Sequence, residues 1–169
     1  MEKNLNELIK SILNKRKDLV GIALLQRAKF EGWLKFELAN ELKKMYADTV
    51  VEYHLKKMNA HVDIYSNQSL IELKTPNTSY NTNDCINAKR PITDNVNGII
   101  NDINKLKAVS PTSSYQGGYI AFVMFPLGKN EAYKTHIKKI ADNICTGRIT
   151  ETILTINGVK ILILTAKVF

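Results

Sequence analysis

Two cysteines, Cys85 and Cys145, are all that the 169 residues contain. They lie far apart and without C-x-x-C spacing, which argues against a structural zinc site and against a disulfide framework. Proline is scarce at four residues, and tryptophan occurs once. The longest apolar run, around Tyr119 to Leu127, is less than half of the ~20 residues that a membrane span needs. The opening MEKNLNELIKSIL is polar with a helical period and lacks the continuous apolar stretch of a signal peptide. The expectation is a cytoplasmic protein with no membrane partner. Also missing are a G-x-S-x-G elbow, a P-loop, a glycine fingerprint for dinucleotides and an H-E-x-x-H helix. No organic cofactor is expected.

Without covalent staples, stability has to come from an apolar core. Hydrophobic residues make up 44% of the chain and charged residues 24%, an ordinary globular balance, and the length suits a single domain over residues 1–169. What stands out is charge. Twenty-four Lys and Arg oppose sixteen Asp and Glu, a net of +8, so the surface field attracts polyanions. Nucleic acid is the first expectation, with anionic membrane behind it.

Leu5, Leu8, Ile9 and Leu13 recur at helical spacing and predict an amphipathic helix over 2–16, with a break at Gly21. A second helix, from about Lys29 to Ala47, carries Phe30, Trp33, Leu34, Leu38, Leu42 and Met45 as its apolar stripe. Glu37 and Glu41 fall inside that stripe, where a carboxylate is unexpected. Three short runs rich in β-branched and aromatic residues follow, TVVEYHL, HVDIY and LIELKT, and read as strands. A long polar stretch from Pro76 to Pro91 contains Tyr80, Lys89 and Arg90.

Thr93 fits the N-cap of a third helix with Val96, Ile99, Ile100, Ile103 and Leu106 inside. YIAFVMF after Gly117 and Gly118 predicts a central strand covered on both faces. A further helix after Asn130 ends near Gly147, and two last strands flank Asn157 and Gly158, a hairpin signal. The predicted order is α, α, β, β, β, α, β, α, β, β.

A tight turn centred on Asn67 and Gln68 sets Asp63 opposite Glu72 and His61 opposite Lys74. Facing residues have Cβ atoms about 4.5 to 5.5 Å apart, a range at which like charges destabilise a pair. Something positive is expected between the two acids. Strand alternation puts Lys74 on the face of Glu72, with Ile71 and Leu73 on the other. Hard oxygen ligands with open positions suit Mg²⁺, which takes one or two carboxylates, waters and a substrate phosphate.

An acid in one strand followed by acid, apolar residue, Lys in the next resembles the PD-(D/E)xK signature of restriction-endonuclease-like nucleases, here Asp63 and then Glu72-Leu73-Lys74. Val62 stands where the signature has proline. The family's helix, three strands, helix, strand order is similar to residues 29–126, the middle three-fifths of the chain. The resemblance implies an α/β fold in three layers: a mixed central sheet between helices, with an αβββαβ core, an added N-terminal helix and an added C-terminal β-hairpin.

It implies a DNA endonuclease in which Asp63, Glu72 and the Leu73 carbonyl ligate Mg²⁺, for which Mn²⁺ can substitute. Lys74 then orients or deprotonates the attacking water, and the products carry a 5′-phosphate and a 3′-hydroxyl. Glu37 best matches the family's acid on the preceding helix, where it would complete the metal's ligand set or position a second ion, with Glu31 and Glu41 as competitors. Cutting both strands at one locus needs two sites, so a homodimer is expected, with Leu5 to Leu13 as part of its interface. Tyr80, Lys89 and Arg90 are candidates for nucleic-acid contact. The alternative is a non-catalytic basic module that keeps the fold to bind nucleic acid or protein, its acids serving as structural salt bridges.

Overall fold

The N-terminal periodicity folds into two helices, and Gly21 does not break them. In the computed structural model, which describes residues 1–80, 82, 85, 92–109, 114–128, 131–144 and 147–169, α1 (Glu2–Lys15) is followed after Arg16 by α2 (Lys17–Gln26). Gly21 lies within α2, where a Cβ would overlap the side chain of Asn157. Close packing, not a turn, requires the glycine. The helix stops at Arg27, which takes the left-handed conformation (φ 53°). Its buried guanidinium donates to the carbonyls of Thr78 and Tyr80, both at 2.8 Å, and ties this corner to the chain beyond Lys74.

Helix α3 (Glu31–Lys43) buries Leu34, Leu38, Ala39 and Leu42, as its stripe predicts. Met45 is half exposed because the helix has already ended. Strands β1 (Val50–Leu55), β2 (Ala60–Ser66) and β3 (Ser69–Lys74) follow as two consecutive antiparallel hairpins. Next come α4 (Ile92–Val109), β4 (Gly117–Met124), α5 (Tyr133–Ala141), β5 (Ile149–Ile156) and β6 (Val159–Lys167). Thr93 is the second residue of α4 and not its cap, since helical geometry already holds at Ile92.

The six strands form one sheet in the order β1-β2-β3-β4-β6-β5. Among the described strands β3 and β4 are the one parallel pair, so the sheet is mixed. All eight residues of β4 are buried, which is what an unbroken apolar run at the sheet's centre requires. One face carries α1, α2 and α3, and the other α4 and α5, each over its own apolar cluster. The chain is thus α/β, with the sheet between two helical layers. The C-terminal hairpin is not an appendage: β6 pairs with β4 along six residues and completes the sheet.

Helix α1 corrects the expectation of a subunit interface there. Leu5, Ile9, Ile12 and Leu13 sit in the core at 0 to 3% exposure. Burying each such side chain stabilises the fold by roughly 1.5–3 kcal/mol, so they are not surface residues awaiting a second copy. Asn6 fixes the docking. Its amide donates to the carbonyls of Thr150 and Ile163 and its oxygen accepts from Thr152 Oγ1 at 2.6 Å. Among the described residues no helix is long and apolar enough to cross a membrane.

Candidate active site

Asn67 and Gln68 both adopt positive φ, 48° and 55°, the geometry of a two-residue hairpin turn. Asp48 stabilises it by accepting hydrogen bonds from both their amides. The register follows as the sequence predicts: Ser66 faces Ser69, Tyr65 faces Leu70 and Ile64 faces Ile71. There the ladder stops, one step short of Asp63 and Glu72. Asp63 Oδ2 instead accepts the backbone amide of Leu73 at 2.8 Å.

The neighbouring pair in β1 and β2 is interrupted at the same level. Val51 pairs with Ile64 and Tyr53 with Val62, but Glu52, with φ 50°, has no ladder partner. Regular alternation would keep residues i and i+2 on one face. Here Val62 packs on the α4 side and Ile64 on the α3 side, and Tyr53 and Val51 divide likewise. Glu52 and Asp63 therefore mark a shift of phase across both strands. Lys35, reaching down from α3, contacts both carboxylates, Glu52 Oε1 and, at 3.3 Å, Asp63 Oδ1.

Glu72 points to the α4 side, where its side chain is 3% exposed and meets the ammonium of Lys105. Lys74 lies between Glu31 Oε1 and Asp102 Oδ2, each at 3.3 Å. Glu31 Oε2 also accepts the Thr75 amide, and Thr75 Oγ1 accepts the Phe30 amide, so the start of α3 and the end of β3 hold each other. Asp102 Oδ1 lies 3.7 Å from Lys105 Nζ. Lys105 also donates to the His61 carbonyl at 2.9 Å. His61 pairs with His54 rather than Lys74.

Burial raises the Glu72 carboxyl to about 8. Lys105 opposes that rise, while Asp102 and Asp63 add to it. For Lys74 burial acts downward, yet Asp102, Glu31 and Asp63 together hold the ammonium above its ordinary value. Lys35 is also raised: burial opposes, and Glu52 and Asp63 prevail. Fully ionised, the five carboxylates and three ammonium groups of this cluster carry two net negative charges, inside a chain of net +8. Glu72 Oε1 and Asp102 Oδ2 are buried and make no aligned hydrogen bond.

The acid that α3 contributes is Glu31. Glu37 meets Arg16 at 3.9 Å and Glu41 meets Lys44 at 2.7 Å, away from Lys74. Six residues rotate a helix by about 240° beyond a full turn, so Glu31 and Glu37 cannot share a face. Lys35, Asp102 and Lys105 are further members of the cluster that motif spacing does not reveal. Asp102 had a signal: it falls beside Ile99, Ile103 and Leu106 in the apolar stripe of α4. Tyr80 is partly buried, its ring against Gly128 and near His136 and its hydroxyl buried. Lys89 and Arg90 lie outside the described residues.

Among the described residues no three acid, histidine or cysteine side chains are grouped as a ready metal cage. Mg²⁺ does not require one, since it binds through one or two carboxylates with waters and substrate phosphate. Asp63 and Glu72 are donors of that hard-oxygen kind. Compared with protein-family models, curated proteins and solved structures, the chain matches none. Its function rests on its own geometry.

Proposed function

We propose that this chain is a metal-dependent DNA endonuclease of the PD-(D/E)xK kind. The observation that carries the proposal is the junction of β2 and β3. Asp63 closes on the backbone of the Glu72-Leu73-Lys74 segment, and Glu72 in that segment buries a carboxyl in contact with Lys105.

Asp63, Glu72 and the Leu73 carbonyl would hold Mg²⁺ or Mn²⁺. Such an ion activates water and offsets charge that develops on a phosphodiester. Lys74, held above its usual pKa by three acids, works as an ammonium that orients the nucleophile and faces the phosphate, and not as a general base. Glu31 and Asp102 aim it, one from each helical layer. Glu31, rather than Glu37, is the α3 acid beside Lys74, and it positions that lysine instead of completing the ligand set. The surplus of basic residues draws in DNA. Cleavage leaves a 5′-phosphate and a 3′-hydroxyl, and a duplex cutter works as a homodimer whose interface excludes the buried face of α1.

Incubation with plasmid, single-stranded and branched DNA in Mg²⁺ tests this, with Lys74→Met as the control. Cleavage by the wild type that falls about 10²–10⁴-fold in the variant is expected. Equal products from both proteins, or none from either with any substrate, defeat the proposal.

One observation favours a second reading. Each lysine of the cluster already neutralises an acid, as in a structural network on a non-catalytic nucleic-acid- or protein-binding module. Under that reading neither Mg²⁺ nor Mn²⁺ shifts the melting temperature.

A further inference from the structure

The three lysines of the cluster are not equivalent. Lys74 is bound by Glu31 and Asp102, neither of them a proposed metal ligand. Lys35 holds Asp63 through one oxygen while the other accepts the Leu73 amide, so it keeps that carboxylate in place. Its side chain is 12% exposed and Glu52 shares it, which leaves it little room to leave. Lys105 differs on each count. It covers Glu72 Oε1, a buried oxygen of a proposed ligand. At 26% exposure its side chain has a path to solvent. It also touches two other acceptors, the His61 carbonyl and Asp102 Oδ1, which can retain the ammonium once Glu72 is lost.

An ammonium and a dication at one carboxylate oxygen repel each other, and the repulsion is strong at short separation in a partly buried site, so the ammonium weakens binding of the dication. We propose that Lys105 is a built-in counter-ion of Glu72 that a divalent cation must displace, so that this residue, although not itself a ligand, sets the metal affinity of the site. The proposal rests on Asp63 and Glu72 being the metal ligands. Displacement turns Lys105 towards Asp102, which lies beside Lys74, so occupation of Glu72 reaches the second lysine of the site through one shared carboxylate.

Calorimetric titration of Mn²⁺ into the full chain, without DNA and at a pH alkaline enough that Glu72 is ionised in every variant, tests the inference. Lys105→Gln removes the competing charge and keeps a hydrogen-bond donor. It should bind Mn²⁺ about tenfold or more tightly than wild type. Lys105→Arg, whose guanidinium grips a carboxylate through two donors, should bind more weakly than wild type. If wild type binds Mn²⁺ and Lys105→Gln binds no more tightly, Lys105 is not a competitor and the inference falls while the metal site stands. Should Lys105→Gln fail to fold by circular dichroism, Lys105→Arg decides, and unchanged affinity overturns the inference. Absence of binding in the wild type and both variants overturns the metal site itself.

Discussion

Asp63 Oδ2 accepts the Leu73 amide at 2.8 Å and so occupies, in the β2–β3 ladder, the place of a main-chain carbonyl. Its other oxygen faces Lys35. One carboxylate thus ends the regular pairing of two strands, satisfies the backbone where they part and presents negative charge at that point.

Structure and chemistry at Asp63 should therefore separate by substitution. Asp63→Asn keeps an oxygen for the Leu73 amide and loses the charge, so the fold should survive while Mg²⁺-dependent cleavage falls at least about a hundredfold. Asp63→Leu also strands the amide, which costs about 1–3 kcal/mol. Thermal melts and cleavage assays on both variants check this. A fully active Asp63→Asn would remove Asp63 from the site.

Glu72 should make stability depend on pH in an unusual direction. Its carboxyl is raised from 4.5 to about 8, so between those values the folded chain binds a proton that the unfolded chain does not. Stability from this group is complete below the lower value and is lost as pH rises through the upper one. Urea denaturation of wild type and Glu72→Gln across that window should show wild type losing ground with rising pH relative to the variant. Parallel curves would refute it. Because proton and dication compete for the same carboxylate, the rise in melting temperature caused by Mn²⁺ should grow over the same window.

Asn6 is the polar anchor of α1 on β5 and β6. Asn6→Leu leaves Thr152 Oγ1 without its acceptor and two carbonyls without their shared donor. A loss of about 1–3 kcal/mol in chemical denaturation is expected. A variant as stable as wild type would mean that apolar burial alone docks the helix.

Gly21→Ala should destabilise although alanine favours helix. The new methyl overlaps the Asn157 side chain, and overpacking of about 1–3 kcal/mol outweighs a helical gain of about 1 kcal/mol. Asn157 has φ 49°, a conformation that glycine accepts, so adding Asn157→Gly should restore the melting temperature of the alanine variant. Failure of that rescue would place the clash elsewhere.

The elements legible in advance were those set by local periodicity. HVDIY and LIELKT were readable as strands, and Asn67 and Gln68 take positive φ, so the register set by that turn is observed from Ser66–Ser69 to Ile64–Ile71, where it ends before Asp63 and Glu72. YIAFVMF had to be buried on both sides, and it is. The break expected at Gly21 failed because that glycine answers to Asn157, distant in sequence. Leu5 to Leu13 appeared available for a partner because sequence shows an apolar face without showing what covers it.

Spacing by itself determined where strands lie and which helices are amphipathic, since periods of two and 3.6 are properties of the isolated chain. Tertiary structure alone decided that Glu31 rather than Glu37 meets Lys74, that Lys35 and Lys105 neutralise Asp63 and Glu72, and that alternation shifts phase at Glu52 and Asp63. Those outcomes depend on how far each helix is rotated about its axis and how closely it seats on the sheet. Packing of Leu34, Leu38 and Leu42 on one side, and of Ile99, Ile103 and Leu106 on the other, sets both quantities.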